Sequence, residues 1–268
     1  MRIIMWVALN AFRESVRDKV LYNLVAFAIL LMGASYLLGQ LTAGQDVKII
    51  KDLGLAAISI FGLFIAIFIG IGLVSKEVER RSIYGLLAKP IERYHLVLGK
   101  YAGLLLTLAI NIAIMTVALY IVLAYMTFKE VPETRAAWDA PGLDPRMLKA
   151  VALTFVELSI VTAVALCFST FSTPMLSAAF TFGIFVAGRF SADLRNFNDV
   201  VDSQVAGAVT AALYWVLPNL AAFDVRSQVV HGQPVPFDYL ALTIGYGLLY
   251  IVALIAVATL VFSRRDFK

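Results

Sequence analysis

Residues 54–75 read GLAAISIFGLFIAIFIGIGLVS, an apolar run without one charged side chain. A helix rises about 1.5 Å per residue, so about 20 such residues cross the ~30 Å hydrocarbon core of a bilayer. Strands of a membrane barrel would instead alternate apolar and polar residues over about ten positions. The run therefore predicts a transmembrane helix. Further apolar runs predict spans at 21–41, 96–126, 150–170, 175–190 and 239–262.

The overall composition leads to the same class of protein. Of the 268 residues, 61% are hydrophobic and 15% are charged, whereas a typical soluble domain has about 45–50% and about 25%. A water-soluble core cannot hide that much apolar surface. We therefore predict an all-α polytopic membrane protein in which residues 1–268 form a single transmembrane domain with six transmembrane helices. The single cysteine, Cys167, excludes an internal disulfide.

The distribution of charge predicts how the chain is oriented. With both termini in the cytoplasm, the inside segments hold 13 Lys/Arg against 6 Asp/Glu, and the outside segments hold 9 against 11. Basic residues accumulate on the cytoplasmic side of membrane proteins. The net charge of +4 is thus explained by topology, and no nucleic-acid partner is expected.

Residues 1–20 are predicted to form an amphipathic helix in the membrane interface. Met5, Trp6 and Leu9 fall near one helical face, while Arg13 and Arg17 fall largely opposite. The alternative is that this helix continues the first span, which would place basic side chains at membrane depth. The segment lacks a compact apolar region with a small-residue cleavage site, so no removable signal peptide is predicted.

The stretch from 175 to 236 allows two interpretations. Its two apolar runs are each short for a span and are separated by the polar insert SADLRNFNDVVDSQ. They predict either two spans, or one span at 175–190 followed by a re-entrant segment at 198–222. A seventh span would move the basic C-terminus outside the cell, so the charge bias favours the re-entrant alternative.

No reactive motif is visible in the sequence. It lacks the P-loop pattern G-x-x-x-x-G-K-[ST], and also H-E-x-x-H and G-x-S-x-G. The only histidines, His95 and His231, are predicted on opposite sides of the membrane and cannot share a metal, which needs three or four converging ligands. We therefore expect no catalytic, cofactor or metal site, and ATP hydrolysis on another chain if it occurs.

Three polar residues within the apolar runs are candidates for a conduit. An ionisable side chain at bilayer depth suggests a function, so Glu157 and Arg189 are candidates. The alternative for Glu157 is a hydrated carboxylate, or one paired with a basic group such as Lys149. Asn111 is predicted mainly to form a hydrogen bond between helices.

The segment SKEVERRSIYGLLAKPIERYHLVLGKY, residues 75–101, is the most polar stretch on the predicted inside. Glu77 and Arg81 have the i,i+4 spacing that supports a helix, and Pro90 ends it. This short helix, predicted at 76–92, projects apolar side chains that must rest on lipid or on a partner.

With its acidic start, Arg80-Arg81, Leu86-Leu87, Lys89-Pro90 and Leu98-Gly99-Lys100, the segment resembles the coupling helix of ABC-2-type transporter permeases. Many members have Gly-Thr-Leu where this chain has Ser82-Ile83-Tyr84-Gly85. The N-terminal helix is similar to the elbow helix of that family. The C-terminal third, with Leu217-Pro218-Asn219 and Arg264-Arg265-Asp266, is similar to its bacterial single-domain members, including permeases associated with multicopper-enzyme maturation, sodium efflux or gliding motility.

The resemblance implies the permease subunit of an exporter, which forms a conduit as a dimer and is driven by two separate ABC ATPase subunits in the bacterial inner membrane. It also implies re-entrant exit helices, where Asp193 and Arg195 would shape the exit together with Asp199 and Asp202. The implied ATPase-contacting residues are Glu77, Glu79, Arg80, Arg81, Ile83, Tyr84, Leu86, Leu87, Lys89 and Pro90. The alternatives are a stand-alone channel or secondary transporter, and an intramembrane enzyme.

Overall fold

A computed structural model describes residues 2–39, 46–79, 93–136, 138, 140–191 and 217–264. Within these ranges the chain forms α-helices, one 3₁₀ turn at Ala221–Phe223 and no β-strand. The all-helical prediction is confirmed for this part of the chain. The helices are α1 (Arg2–Val16), α2 (Lys19–Gly39), α3 (Asp46–Glu79), α4 (Arg93–Lys129), α5 (Pro132–Ala136), α6 (Met147–Ser169), α7 (Pro174–Arg189), α8 (Arg226–Val230) and α9 (Phe237–Arg264).

Five of the described helices are long and apolar enough to cross a membrane: α2, most of α3, and α4, α6 and α9. The remaining predicted span, at 175–190, corresponds to α7, which has 16 residues and a length of only about 24 Å. Its last residue, Arg189, meets the side chain of Glu157, halfway along α6. The multi-pass architecture is therefore clear, while the count of six spans stays a prediction.

Helix α3 extends beyond both ends of the span predicted at 54–75. It begins at Asp46 because the stretch before residue 54, although it carries charges, has its own buried face: Val47 and Ile50 are buried. Lys51 is also fully buried, and its Nζ donates a hydrogen bond to the carbonyl of Pro141 at 2.7 Å. At the other end, α3 continues without a break to Glu79. The first residues of the predicted coupling helix thus continue α3, and residues 80–92 lie outside the described ranges.

The N-terminal helix α1 is separate from α2, since the helical pattern breaks at Arg17 and Asp18. It packs on α4 through two glycines four residues apart. A side chain added at Gly99 would lie 2.6 Å from Cβ of Val7, and one added at Gly103 would lie 2.4 Å from the carbonyl oxygen of Ala8. Small residues at this spacing let helix backbones approach closely.

The predicted apolar face of α1 is not the face that packs on α4. The small side chain of Ala11 is buried, whereas Met5 and Trp6 of the predicted apolar face are 63% and 71% exposed. In a membrane protein, the closest helix contacts are made by small residues, and large apolar side chains lose nothing by facing lipid. A hydrophobic face therefore does not identify the face that packs against protein.

Helix α6 lies at the centre of the molecule, where it contacts α3, α4, α7 and α9. In its most apolar stretch 67% of the residues are buried inside the protein, whereas in the corresponding stretch of α9 only 22% are buried. Small residues bring α3 close to it: a side chain added at Gly70 would lie 2.6 Å from Cβ of Ala165. The polar side chains of Glu157, Ser159 and Thr162 on this helix are buried within the protein.

Residues 217–236 form a compact connection that packs over one end of the bundle and leads into α9. Leu220, Phe223 and Val229 are buried there. The backbone N–H of Leu220 donates to the carbonyl of Gly188 at 3.0 Å, and that of Asn219 donates to the hydroxyl of Tyr246 at 2.8 Å. Of the predicted re-entrant segment 198–222, only residues 217–222 are described; they are irregular up to the 3₁₀ turn that begins at Ala221. The re-entrant prediction otherwise lies outside the described residues.

Candidate functional site

Glu157 is the eleventh of the 23 residues of α6 and is fully buried. An ionised carboxylate in such surroundings requires a compensating charge. Arg189 supplies it with two nitrogens: Nε lies 2.8 Å from Oε1, and Nη2 donates to Oε2 at 3.0 Å. Only the contact at Oε2 is a hydrogen bond, and the two contacts together hold the guanidinium group against the carboxylate.

The partner of Glu157 corrects one alternative from the sequence. Lys149 does not pair with Glu157; its Nζ donates to the carbonyl of Val235 at 2.8 Å. Lys149 lies about two turns earlier on the same helix, and there it contacts the connection that packs over the end of the bundle. Arg189, far away in sequence, reaches Glu157 because α7 turns back along α6 and ends beside its middle.

Arg189 also contacts a second carboxylate. Its Nη1 donates to Oδ2 of Asp224, and its Nη2 lies 3.4 Å from the hydroxyl oxygen of Ser59 on α3. The guanidinium carbon lies 5.6 Å from the centre of the Phe185 ring, within the range of a cation–π contact. As the last residue of α7, Arg189 also sits where a positive charge interacts favourably with the helix dipole.

Asp224 follows the 3₁₀ turn and continues the series of charges. Its Oδ1 accepts a hydrogen bond from the backbone N–H of Arg226 at 3.2 Å. The side chain of Arg226 forms an ion pair with Asp52 of α3, with 3.0 Å between Nε and Oδ1. We call the alternating series Glu157, Arg189, Asp224, Arg226 and Asp52 the charge chain.

The charge chain runs from the protein interior to its surface. The side-chain exposure is 1% at Glu157, 22% at Arg189, and 39% at both Asp224 and Arg226. It reaches 49% at Asp52. The charge chain joins α6, α7, α3 and the 217–236 connection. A relative movement of these elements must therefore change at least one contact of the charge chain.

A cavity of about 220 Å³ lies beside the charge chain. Its wall includes Ser59 and Thr154, and both Arg189 and Asp224 reach it. A wider groove continues toward the surface past Asp52 and His231. The cavity and the groove share Asp224 and Arg226 in their linings. Together they form a route past charged side chains, here called the polar route, which reaches α6 at Ala150 and Thr154. Among the described residues, no group of three His, Cys, Asp or Glu side chains is placed to hold a metal ion.

The remaining predicted conduit residues are not part of this cluster. Asn111 is buried, and its Nδ2 donates to the carbonyl of Thr107 at 2.7 Å within the same helix. The described contacts thus give it a bond within α4 instead of the predicted bond between helices. Asp193 and Arg195 lie outside the described residues, as do Arg80, Arg81, Ile83, Tyr84, Leu86, Leu87, Lys89 and Pro90.

The sequence marks Glu157 and Arg189 as candidates, but the contact between them is visible only in the structure. Two opposite charges within apolar runs indicate a pair, because each is costly at membrane depth without the other. The positions of Glu157 and Arg189 in the sequence therefore contain a signal for this contact. Asp224 precedes the short helix α8 and Arg226 begins it, in a stretch without hydrophobic periodicity, and Ser59 is one hydroxyl among apolar residues. No sequence signal marks these three as neighbours.

The long apolar helices, with an ion pair buried among them, define a multi-pass α-helical membrane protein. The model of a protein family described as "ABC-2 family transporter protein" matches residues 5–267. The chain therefore belongs to the ABC-2 transporter family, whose permeases are transport subunits that generally work with ABC ATPase partners. A search of curated proteins found no match.

Proposed function

We propose that the chain is the permease subunit of an ABC exporter that works as a homodimer with two separate ATPase subunits in the bacterial inner membrane. Its sequence has no P-loop, which fits ATP hydrolysis on a partner chain. Both termini face the cytoplasm in this proposal, and the segment from Glu77 to Pro90 contacts the ATPase. The exported solute leaves along the polar route beside the charge chain.

The continuity of α3 is the observation that carries this proposal. The helix has 34 residues and is about 50 Å long. Its final turn contains Glu77 and Glu79, at the start of the proposed ATPase contact. Its opposite half contributes Asp52 and Ser59, which contact Arg226 and Arg189. One helix thus links the proposed contact with the motor to the charge chain.

This geometry supports a mechanism. Closure of the ATPase pair displaces the cytoplasmic end of α3, and an unbroken helix transmits that displacement to its other end. Asp52 and Ser59 then shift relative to Arg226 and Arg189, while the buried pair of Glu157 and Arg189 holds α7 on α6. The cavity between α3 and α7 widens toward the surface groove, which opens the exit route.

The proposal is tested by reversing the charges at Arg80 and Arg81 together. The variant Arg80→Glu/Arg81→Glu is expected to lose co-purification of the ATPase, or to lose the stimulation of ATP hydrolysis by the permease, while its melting temperature stays the same. Lys129→Glu/Arg135→Glu is the matched control, since it makes the same change of charge on the predicted outer side. If the Arg80/Arg81 variant retains both ATPase binding and stimulation, the proposed contact is wrong.

A further inference from the structure

A second cavity, of about 190 Å³, lies at the opposite end of α3 from the charge chain, between the end of α1, the start of α2 and the last part of the α3 span. Its base is apolar and includes Leu21, Leu24 and Ile65. Phe68 lines one side and is 56% exposed, so the cavity reaches the surface that lipid covers. The shape and lining suit an alkyl chain that enters from the bilayer.

Three residues of the lining are polar, and two of these are acidic. Glu14, Ser15 and Asp18 line the cavity where α1 ends and α2 begins. Ser15 is 6% exposed, and its buried hydroxyl oxygen has no hydrogen-bond partner among the described residues. A buried polar atom without a partner is costly, so this hydroxyl oxygen favours a hydrogen-bond donor of a ligand at this position. The carboxylates of Glu14 and Asp18 favour a cationic group at this position.

The neighbouring residues in the sequence have the opposite charge. Arg17 and Lys19 are exposed and flank Asp18 directly. This end of the molecule thus presents carboxylates inside the cavity and basic side chains beside it. An ethanolamine phospholipid has the matching arrangement: a primary ammonium group that donates up to three hydrogen bonds, a phosphate next to it, and alkyl chains beyond.

We propose that this cavity binds a phospholipid with a protonated primary amine in its headgroup. Glu14 and Ser15 accept hydrogen bonds from the ammonium, and Asp18 adds to the negative potential. Arg17 and Lys19 lie near the phosphate, while one alkyl chain occupies the apolar base against Leu21 and Ile65. The site depends on the membrane location of the protein and not on the exporter proposal.

Gly72 allows the cavity to be filled. It lines the cavity, and a side chain added there meets nothing within 4 Å. The variant Gly72→Leu therefore adds bulk at the cavity wall, at a position where the Cβ has open space. Gly33 on α2 also has open space around its added side chain but does not line the cavity, so Gly33→Leu is the matched control.

The test measures lipid binding to the purified protein in detergent by native mass spectrometry and by the rise in melting temperature. Phosphatidylethanolamine is compared with phosphatidylcholine, which lacks N–H donors, and with phosphatidylglycerol, which lacks the amine. The wild type is expected to prefer phosphatidylethanolamine. Gly72→Leu should abolish the preference, Glu14→Gln should weaken binding about tenfold, in line with the loss of a hydrogen bond to a charged group, and Gly33→Leu should bind normally.

Three outcomes overturn the proposal. Equal binding of the three lipids excludes recognition of the amine. Unchanged binding by Gly72→Leu shows that the lipid is bound elsewhere. Equal loss in Gly72→Leu and Gly33→Leu shows that added bulk on any lipid-exposed helix, and not the filled cavity, lowers binding. Failure of the Arg80/Arg81 test leaves this site unaffected, so the two proposals fail separately.

Discussion

Glu157 and Arg189 show why a single charge in a membrane helix has to be considered together with its partner. The carboxylate is fully buried halfway along α6, and Arg189 contacts both of its oxygens. Removing one member of a buried pair typically costs about 3–5 kcal/mol, whereas replacing both with apolar residues is often neutral. Substitutions can therefore separate a structural role of this pair from a functional one.

The first prediction concerns Arg189. Arg189→Ala leaves Glu157 buried without its counter-charge and should lower the melting temperature strongly, in keeping with a cost of about 3–5 kcal/mol. The double variant Glu157→Leu/Arg189→Met should recover most of the lost thermal stability. Melting temperatures in detergent give the comparison. If the double variant is no more stable than Arg189→Ala, the cost of an unpaired charge is not the cause.

The second prediction concerns the function of the pair. In the proposed exporter, Glu157→Leu/Arg189→Met should fold but fail to couple ATP hydrolysis to movement of α3, so hydrolysis by the reconstituted complex should lose its stimulation. Asp238→Asn is the control, because this carboxylate is exposed at the start of α9. Normal stimulation in the double variant would restrict the pair to a structural role.

At the scale of elements, the contact between α1 and α4 is set by the absence of side chains at Gly99 and Gly103. Both positions would bring an added Cβ closer than 3.0 Å to α1. Neighbouring backbone cannot move aside as easily as a flexible side chain. The docking of α1 therefore depends on these two residues more than on its large apolar side chains.

The third prediction follows from this contact. Gly103→Leu should force α1 away from α4 and destabilise the protein by about 1–3 kcal/mol or more, as overpacking does. The measurements are the melting temperature and limited proteolysis between α1 and α2. Gly183→Leu is the control, since a side chain at Gly183 meets nothing within 4 Å. Equal stability of the two variants would contradict close packing at Gly103.

The fourth prediction concerns the ion pair between α3 and α8. Asp52 and Arg226 are half-exposed, so their pair adds only about 0–1 kcal/mol to stability. If it holds the exit route closed, Asp52→Arg should increase ion leak through proteoliposomes without lowering the melting temperature. The swap Asp52→Arg/Arg226→Asp should restore a low leak. A leak that is equal in the single variant and the swap would exclude a role for the pair in closure.

At the scale of the whole molecule, the sequence identified much of the architecture. The long apolar runs form helices, because a 20-residue apolar segment in lipid must satisfy its backbone N–H and C=O groups by hydrogen bonds within itself. Boundaries were less well predicted: α3 begins at Asp46 and not at residue 54. Charged residues such as Lys51 extend the helix there because the tertiary structure supplies a partner, the carbonyl of Pro141.

Sequence alone determined the class of this protein: helical, multi-pass and, through residues 75–101 and the C-terminal third, similar to ABC-2 permeases. These properties follow from local composition and short motifs. Only the tertiary structure decided that Arg189, and not Lys149, neutralises Glu157, and that Asp224, Arg226 and Asp52 continue the charge chain. The three ion pairs of the charge chain join residues from 32 to 174 positions apart. Their proximity depends on where α7 ends and on how residues 217–236 pack. Neither can be predicted from the local sequence pattern of a single segment.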